Sequence, residues 1–248
     1  MSNRVKRRAR WIIALAGALA VAIAIARRKA AQGTPPDAPA DVAFMLALHS
    51  ALRRDLSRLE DVANRADGMQ VPLTVLAGWD AFRRELDNHH SAEDDDLWPI
   101  LRPHLSEPTD LAVLDAMVQE HEQIPEALDA VDAALRGDGD LREPAQRLST
   151  VVRNHLEHEE REALPLVESH LTRAQWRRFL LTVRGRRTLR ERPQFLTWIL
   201  DDASNQDAAA VLSELPPPAR VVYQRILKPR YDARHHWQFQ PTSLGSPG

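Results

Sequence analysis

The sequence predicts an all-α protein: an up-and-down four-helix bundle, preceded by an apolar N-terminal helix and followed by additional C-terminal helices. Three observations lead there. From Asp41 to about Ser169, apolar residues recur at spacings of three and four, and no convincing alternating strand pattern appears. Only 9 of the 248 residues are glycine, while 17 are proline, too little glycine for the turn-rich sandwiches and barrels. The amphipathic segments number four and are joined by short breaks, which suits a bundle.

The N-terminus is basic, with Arg4, Lys6, Arg7, Arg8 and Arg10, and an uncharged run from Trp11 to Ala26 follows before Arg27, Arg28 and Lys29. Sixteen helical residues span about 24 Å, short of a hydrocarbon core of about 30 Å. Flanking arginines extend that reach by snorkelling, so residues 1–29 read as a basic start and a single-pass membrane anchor. A cleavable signal peptide is the competing reading, and the cations directly after the run argue against cleavage. The excess of cations before the run puts the N-terminus inside and the main domain outside. A cytoplasmic or exported soluble protein is the alternative. Residues 30–40, rich in Pro and Ala, read as a linker.

Within 41–171 the first helix starts at about Asp41, with a stripe of Met45, His49, Leu52, Leu56 and Leu59. The second starts near Pro72 and lines up Trp79, Phe82, Leu86, His89, Glu93 and Leu97. After Pro103–Pro108 the third carries Leu114, Met117, His121, Leu128 and Leu135, and Gly137-Asp138-Gly139 ends it. The fourth carries Leu148, Val152, His155, Glu159 and Ala163. Each stripe therefore holds a histidine, and two also hold a glutamate. Burying such groups unpaired costs several kcal/mol for an ionised carboxylate. Six of them converging on one core need a common partner, and a cation is the simplest.

An internal repeat strengthens the inference. Residues 88–105 (NHHSAEDDDLWPILRPHL) align with 154–171 (NHLEHEEREALPLVESHL), matching His89 to His155, Glu93 to Glu159, Pro99 to Pro165 and His104 to His170. Asp94 falls on Glu160, keeping the acid, and MLALH ending at His49 echoes MVQEH ending at His121. Each half supplies one lone histidine and one His-x-x-x-Glu pair, whose i,i+4 spacing lets both side chains reach one point. His90 and His158 read as lying about 100° off the direction of these pairs. His104 and His170 read as helix-end or surface groups, and His235-His236 as solvated.

With no cysteine, disulfides, thiolate metal sites, iron–sulfur clusters and cysteine nucleophiles are excluded. A formal net charge of −2 argues against a dedicated nucleic-acid binder. Imidazole and carboxylate donors favour iron first and manganese second, with zinc remaining possible. Four imidazoles and two carboxylates shared between two octahedral ions leave positions open for dioxygen, peroxide, nitric oxide, azide or water.

The pattern H…HxxxE…H…HxxxE on four helices, with HHSAEDDDLWPIL and HLEHEEREALPLV as its paired segments, resembles the hemerythrin / HHE cation-binding domain. The resemblance covers about 41–171. It implies an oxo- or hydroxo-bridged pair of non-haem irons that binds dioxygen. His49, His89, Glu93, His121, His155 and Glu159 are then the ligands, and Glu93 and Glu159 the bridges. Oxygen carriers have a second histidine four residues after that of the third helix, where this chain has Pro125, and a longer final spacing ending in aspartate. Both departures resemble sensing or regulatory members, so the expected function is binding or sensing of dioxygen, nitric oxide or peroxide rather than bulk oxygen carriage. A di-iron enzyme acting on peroxide or another oxidant, or a structural metal-binding interaction module, is the alternative. No substrate-pocket signature or electron-transfer motif points to a dedicated enzyme.

Residues 172–237 read as a helical extension. Its first segment holds eight arginines against one glutamate, with Thr172 as N-cap and Trp176, Phe179, Leu180 and Val183 as an apolar stripe. A fifth helix packed on the bundle is the favoured reading, and a helix lying on an anionic membrane surface the alternative. Two or three short helices follow, the last ending around Pro229–Tyr231. Residues 238–248 read as a disordered tail.

Overall fold

The computed structural model describes residues 37–66 and 71–239. The expected membrane anchor, most of the linker and the end of the tail lie outside these residues. Among the described residues all regular elements are helical, and no helix is long and apolar enough to cross a membrane.

The first bundle helix, α1, spans Ala43–Ala66 and buries Met45, His49, Leu52, Leu56 and Leu59, the stripe read from its sequence. The second is continuous but not uniform: α2 (Leu73–Ala92), a π turn (Glu93–Leu97) and α3 (Trp98–Leu101). The third, expected as one helix, is two: α4 (Pro108–His121) and α5 (Ile124–Leu135). Pro125 is the cause. It has no N–H to donate to the His121 carbonyl and its ring crowds that carbonyl, so the chain turns at Glu122–Gln123 and restarts. Helix α5 ends where the Gly-Asp-Gly segment predicts. Gly137 sits at φ 99°, and the N–H groups of Gly137 and Asp138 donate to the carbonyls of Ala134 and Ala133, the paired bonds of a left-handed C-terminal cap. The fourth helix repeats the build of the second: α6 (Arg142–His158), a π turn (Glu159–Ala163) and α7 (Leu164–His170).

The four helices close into a ring. Helix α1 packs on α2 and α6, and α6 on α5. The ring is completed where Trp79 Nε1 on α2 donates to Asp132 of α5 at 2.6 Å and Arg83 pairs with Asp129 and Asp132. Inside it lies one continuous apolar core.

The two π turns recur at the repeat offset, since 93–97 plus 66 gives 159–163. A third occupies Tyr223–Leu227 in the extension, where no metal-ligating side chain sits. Each π turn ends two residues before a proline: Pro99, Pro165 and Pro229. A proline in mid-helix removes one donor and clashes with the carbonyl four residues back. Letting one turn widen to i→i+5 bonding, as in Trp98 N–H to the Glu93 carbonyl, keeps the helix running past it. The widened turns are thus a consequence of proline placement, and in the bundle they coincide with the acidic residues of both halves.

The extension packs on this ring. Thr172 caps α8 (Arg173–Arg186) through a reciprocal pair of bonds with Gln175. Helix α8 buries Trp176 and Phe179 against the bundle, and Arg186 pairs with Asp95 and Asp96. Helix α9 (Glu191–Ile199) places the Trp198 indole on the buried carboxylate of Asp55, with Nε1 donating at 2.7 Å. Helix α10 (Asn205–Ser213) also lies on α1. The final stretch, α11 (Pro217–Val222), the third π turn and α12 (Lys228–Asp232), carries the helix one residue past Tyr231. One expectation for the C-terminus changes. His236 is half-buried against Tyr231, although His235 is exposed, and Trp237 is buried over Gly78. Trp237 N–H donates to the Thr74 carbonyl, and Thr74 Oγ1 to the Gln238 carbonyl, so the chain is tied to α2 as far as residue 238.

Candidate metal centre

The site follows from helix geometry. His49 projects inward from α1, His89 from α2, His121 from the last turn of α4 and His155 from α6, and all four are buried. Glu93 and Glu159 open their π turns with side chains fully removed from solvent. The structure brings these six residues together at one level of the bundle. His49, His89, Glu93 and Glu159 offer ligand atoms that all lie within 4.8 Å of one another. A second group with the same property contains His121, His155 and His90.

His90 is the residue that sequence reasoning placed wrongly. It is buried, its ring stacks on His121 with 4.1 Å between centroids, and it meets the His155 ring edge-on at 5.1 Å. The helical arithmetic contains the signal. Measured from Leu86, the centre of the buried face, His89 lies about 60° to one side and His90 about 40° to the other. The two residues are about 100° apart, close to the least width of the inward face of a bundle helix, and both are buried. His158 does point elsewhere: its side chain is partly exposed and pairs with Glu120 and Glu162. His104 and His170 have helix-end roles, contacting Gln175 and the Leu166 carbonyl.

Three carboxylates orient the rings, and two of them cross between the halves. His49 Nδ1 donates to Glu160 Oε1 at 2.8 Å, and His121 Nδ1 donates to Asp94 Oδ1 at 2.9 Å. The lone histidine of each half is therefore held by the second acid of the other half's π turn. His155 Nδ1 donates to Glu120 Oε2 at 2.9 Å, and Glu120 Oε1 accepts from His158 Nδ1 at 2.7 Å. The retained acid at Asp94 and Glu160 in the repeat was a signal for the first two. Glu120, one residue before His121, left none.

Because a carboxylate only accepts, each Nδ1 carries a proton, and each of these rings when neutral turns an Nε2 lone pair to the centre. His121 Nε2 and His155 Nε2 then face each other at 3.1 Å, two lone pairs that need something positive between them. The remaining polar atoms tell the same story. His49 Nε2, His89 Nε2, His90 Nε2 and all four oxygens of Glu93 and Glu159 are buried without a hydrogen-bond partner. His89 Nδ1 does approach Glu93 Oε1 at 3.0 Å, and His49 Nε2 approaches Glu159 Oε2 at 3.2 Å, as close charge contacts lacking hydrogen-bond alignment. Orphaned donors and acceptors at this density are otherwise rare in protein interiors.

The electrostatics are those of a site built around positive charge. Burial, with Glu159 beside it, pushes the Glu93 carboxyl well above the ordinary carboxylate range. Burial, with the other imidazoles around them, pushes His89 and His90 well below the ordinary histidine value. His49 goes the other way. Burial opposes its charging, but Glu159 and Glu160 override burial and lift it to about 9. The absence of thiolate and the mixture of imidazole with carboxylate suit iron, manganese or zinc.

Residues 40–167 match the hemerythrin HHE cation-binding domain family, over just more than half of the chain. The chain belongs to this family. It matches no curated protein and no solved structure. The hemerythrin-like domain thus coincides with the four-helix ring, and its cation-binding character agrees with the two ligand clusters at the ring's centre.

Proposed function

We propose that this hemerythrin-like domain holds a pair of non-haem iron ions through His49, His89, Glu93, His121, His155 and Glu159, and uses them to bind and report a small ligand: dioxygen, nitric oxide or peroxide. Manganese suits the same donors. The observation that carries the reading is the set of buried nitrogen lone pairs and unpartnered carboxylate oxygens converging from all four helices. Two clusters support two ions. Glu93 would bridge the two ions, a role supported by Oε1 lying 3.0 Å from His89 in one cluster and Oε2 3.5 Å from His121 in the other. Iron so held supplies open coordination positions and one-electron redox chemistry.

The chain's own residues do the rest. Asp94, Glu120 and Glu160 hold the Nδ1 protons and so fix three rings with Nε2 inward, which also raises their basicity as ligands. Leu52, Leu86, Met117 and Val152, each within one turn of a histidine and fully buried, exclude bulk water. Such a dry shell limits solvent access and lowers the local dielectric around the centre. Pro125 in place of the carriers' second histidine on the third helix favours response to a ligand over storage of oxygen.

The test is anaerobic titration of the iron(II)-loaded chain with nitric oxide and then dioxygen, followed by visible absorption, beside steady-state consumption of peroxide. Stoichiometric spectral change with little turnover is the expected result. No spectral response to either gas would refute the reading, and sustained peroxide turnover would make the protein an enzyme.

A further inference from the structure

We infer that His90 is itself a metal ligand, completing with His121 and His155 a three-imidazole pocket for one ion of the pair; the inference rests on the two-ion reading above. His90 Nε2 is buried and has no hydrogen-bond partner, an unfavourable state when nothing binds the atom. Its ring offers a nitrogen within 4.8 Å of nitrogens on both His121 and His155. Those two rings are locked by Asp94 and Glu120 with their Nε2 lone pairs facing each other at 3.1 Å. Stacking alone would account for the contact between the rings of His90 and His121. It does not account for a buried, unpartnered nitrogen of His90 converging with nitrogens of both His121 and His155.

The third imidazole comes from α2 and not from the third helix. Pro125 is exposed and lies beyond the break at Glu122–Gln123, so the third helix has nothing further to offer the pocket after His121. His90 reaches the place from α2, one residue after His89, which serves the other cluster. Adjacent residues on one helix thereby divide between two ions, His89 on the side of His49 and His90 on the side of His121 and His155. The two ions are then unlike: one faces three imidazoles, the other two imidazoles and the carboxylate of Glu159.

The experiment compares wild type with His90→Ala, His90→Phe and the control His104→Ala, an exposed histidine at a helix end. Each full chain is loaded anaerobically with iron(II), and the ions per chain are counted by mass spectrometry, with a cobalt(II) optical titration for affinity. His90→Phe retains the ring and its stacking, so loss of nitrogen is separated from loss of packing. Circular dichroism checks that each variant folds. Two ions in wild type and His104→Ala are expected, with one retained in both His90 variants. The second should be weakened beyond the roughly 10–100-fold typical of losing an outer hydrogen-bond partner. Two ions of unchanged affinity in His90→Phe would overturn the inference and leave the two-ion reading standing. A single ion in wild type would overturn the two-ion reading, and whether His90→Phe loses that ion would still decide the role of His90.

Discussion

Replacing Asp55 by alanine should loosen the C-terminal extension without touching the metal. Asp55 is a buried carboxylate on α1 that accepts from the Trp198 indole at 2.7 Å and from Arg54 at 2.8 Å, with Arg58 at 3.3 Å. Truncation leaves the buried indole N–H without an acceptor, which costs about 1–3 kcal/mol. The arginines lose less. Arg54 still donates to the Trp198 and Asp201 carbonyls, and Arg58 still pairs with Asp201 and Asp202. The total therefore falls below the about 3–5 kcal/mol seen when one partner of a buried ion pair is removed outright. A loss of about 2–4 kcal/mol follows, or a fall in Tm of roughly 5–15 °C for a domain of this size. Asp55→Asn keeps an oxygen for the indole and should lose about half as much. The assay is thermal and urea unfolding by circular dichroism, with tryptophan emission reporting whether Trp198 becomes solvated. Metal content should stay at the wild-type level, because Asp55 lies about 9 Å along α1 from His49. Stability within about 0.5 kcal/mol of wild type, the ordinary range for surface substitutions, would refute the argument.

Other predictions concern the centre and its supports. Asp94→Ala and Glu160→Ala should each lower metal affinity about 10–100-fold in a folded protein, because each frees one ring to rotate; equal affinity in a metal titration would count against the crossed bracing. Pro99→Ala and Pro165→Ala should let their π turns relax to α-helix and reduce metal loading, whereas Pro229→Ala, at the third such turn, should leave loading unchanged; metal counts in the three variants decide it. Gly78→Ala should eject the C-terminal strap, since a Cβ there would meet the Trp237 ring at 2.6 Å, and limited proteolysis should then cut the chain near residue 237 where wild type resists.

The bundle was legible because its helices obey one period. Met45 to Leu59, Trp79 to Leu97 and Leu148 to Ala163 are buried as their spacing predicts, and the repeat singled out the acid pairs that open both π turns. Glycine and threonine signals were equally local, as the caps at Gly137 and Thr172 show. What stayed hidden has physical reasons. His90 was assigned by its angle from His89 rather than from the whole inward face. The π turns lie outside a strict 3.6-residue period, although the spacing of Pro99 and Pro165 in the repeat marked them. The docking of Trp198 on Asp55, 143 residues apart, and of Trp237 on Gly78 is long-range packing, which no local pattern encodes.

The most direct test of the account is the metal content of the purified chain, counted by mass spectrometry after anaerobic iron(II) loading and removal of free ion, with an absorption spectrum before and after air. The two ligand clusters predict two irons per chain and a spectrum that changes on exposure to air. No bound metal, or a single zinc that air does not affect, would contradict it.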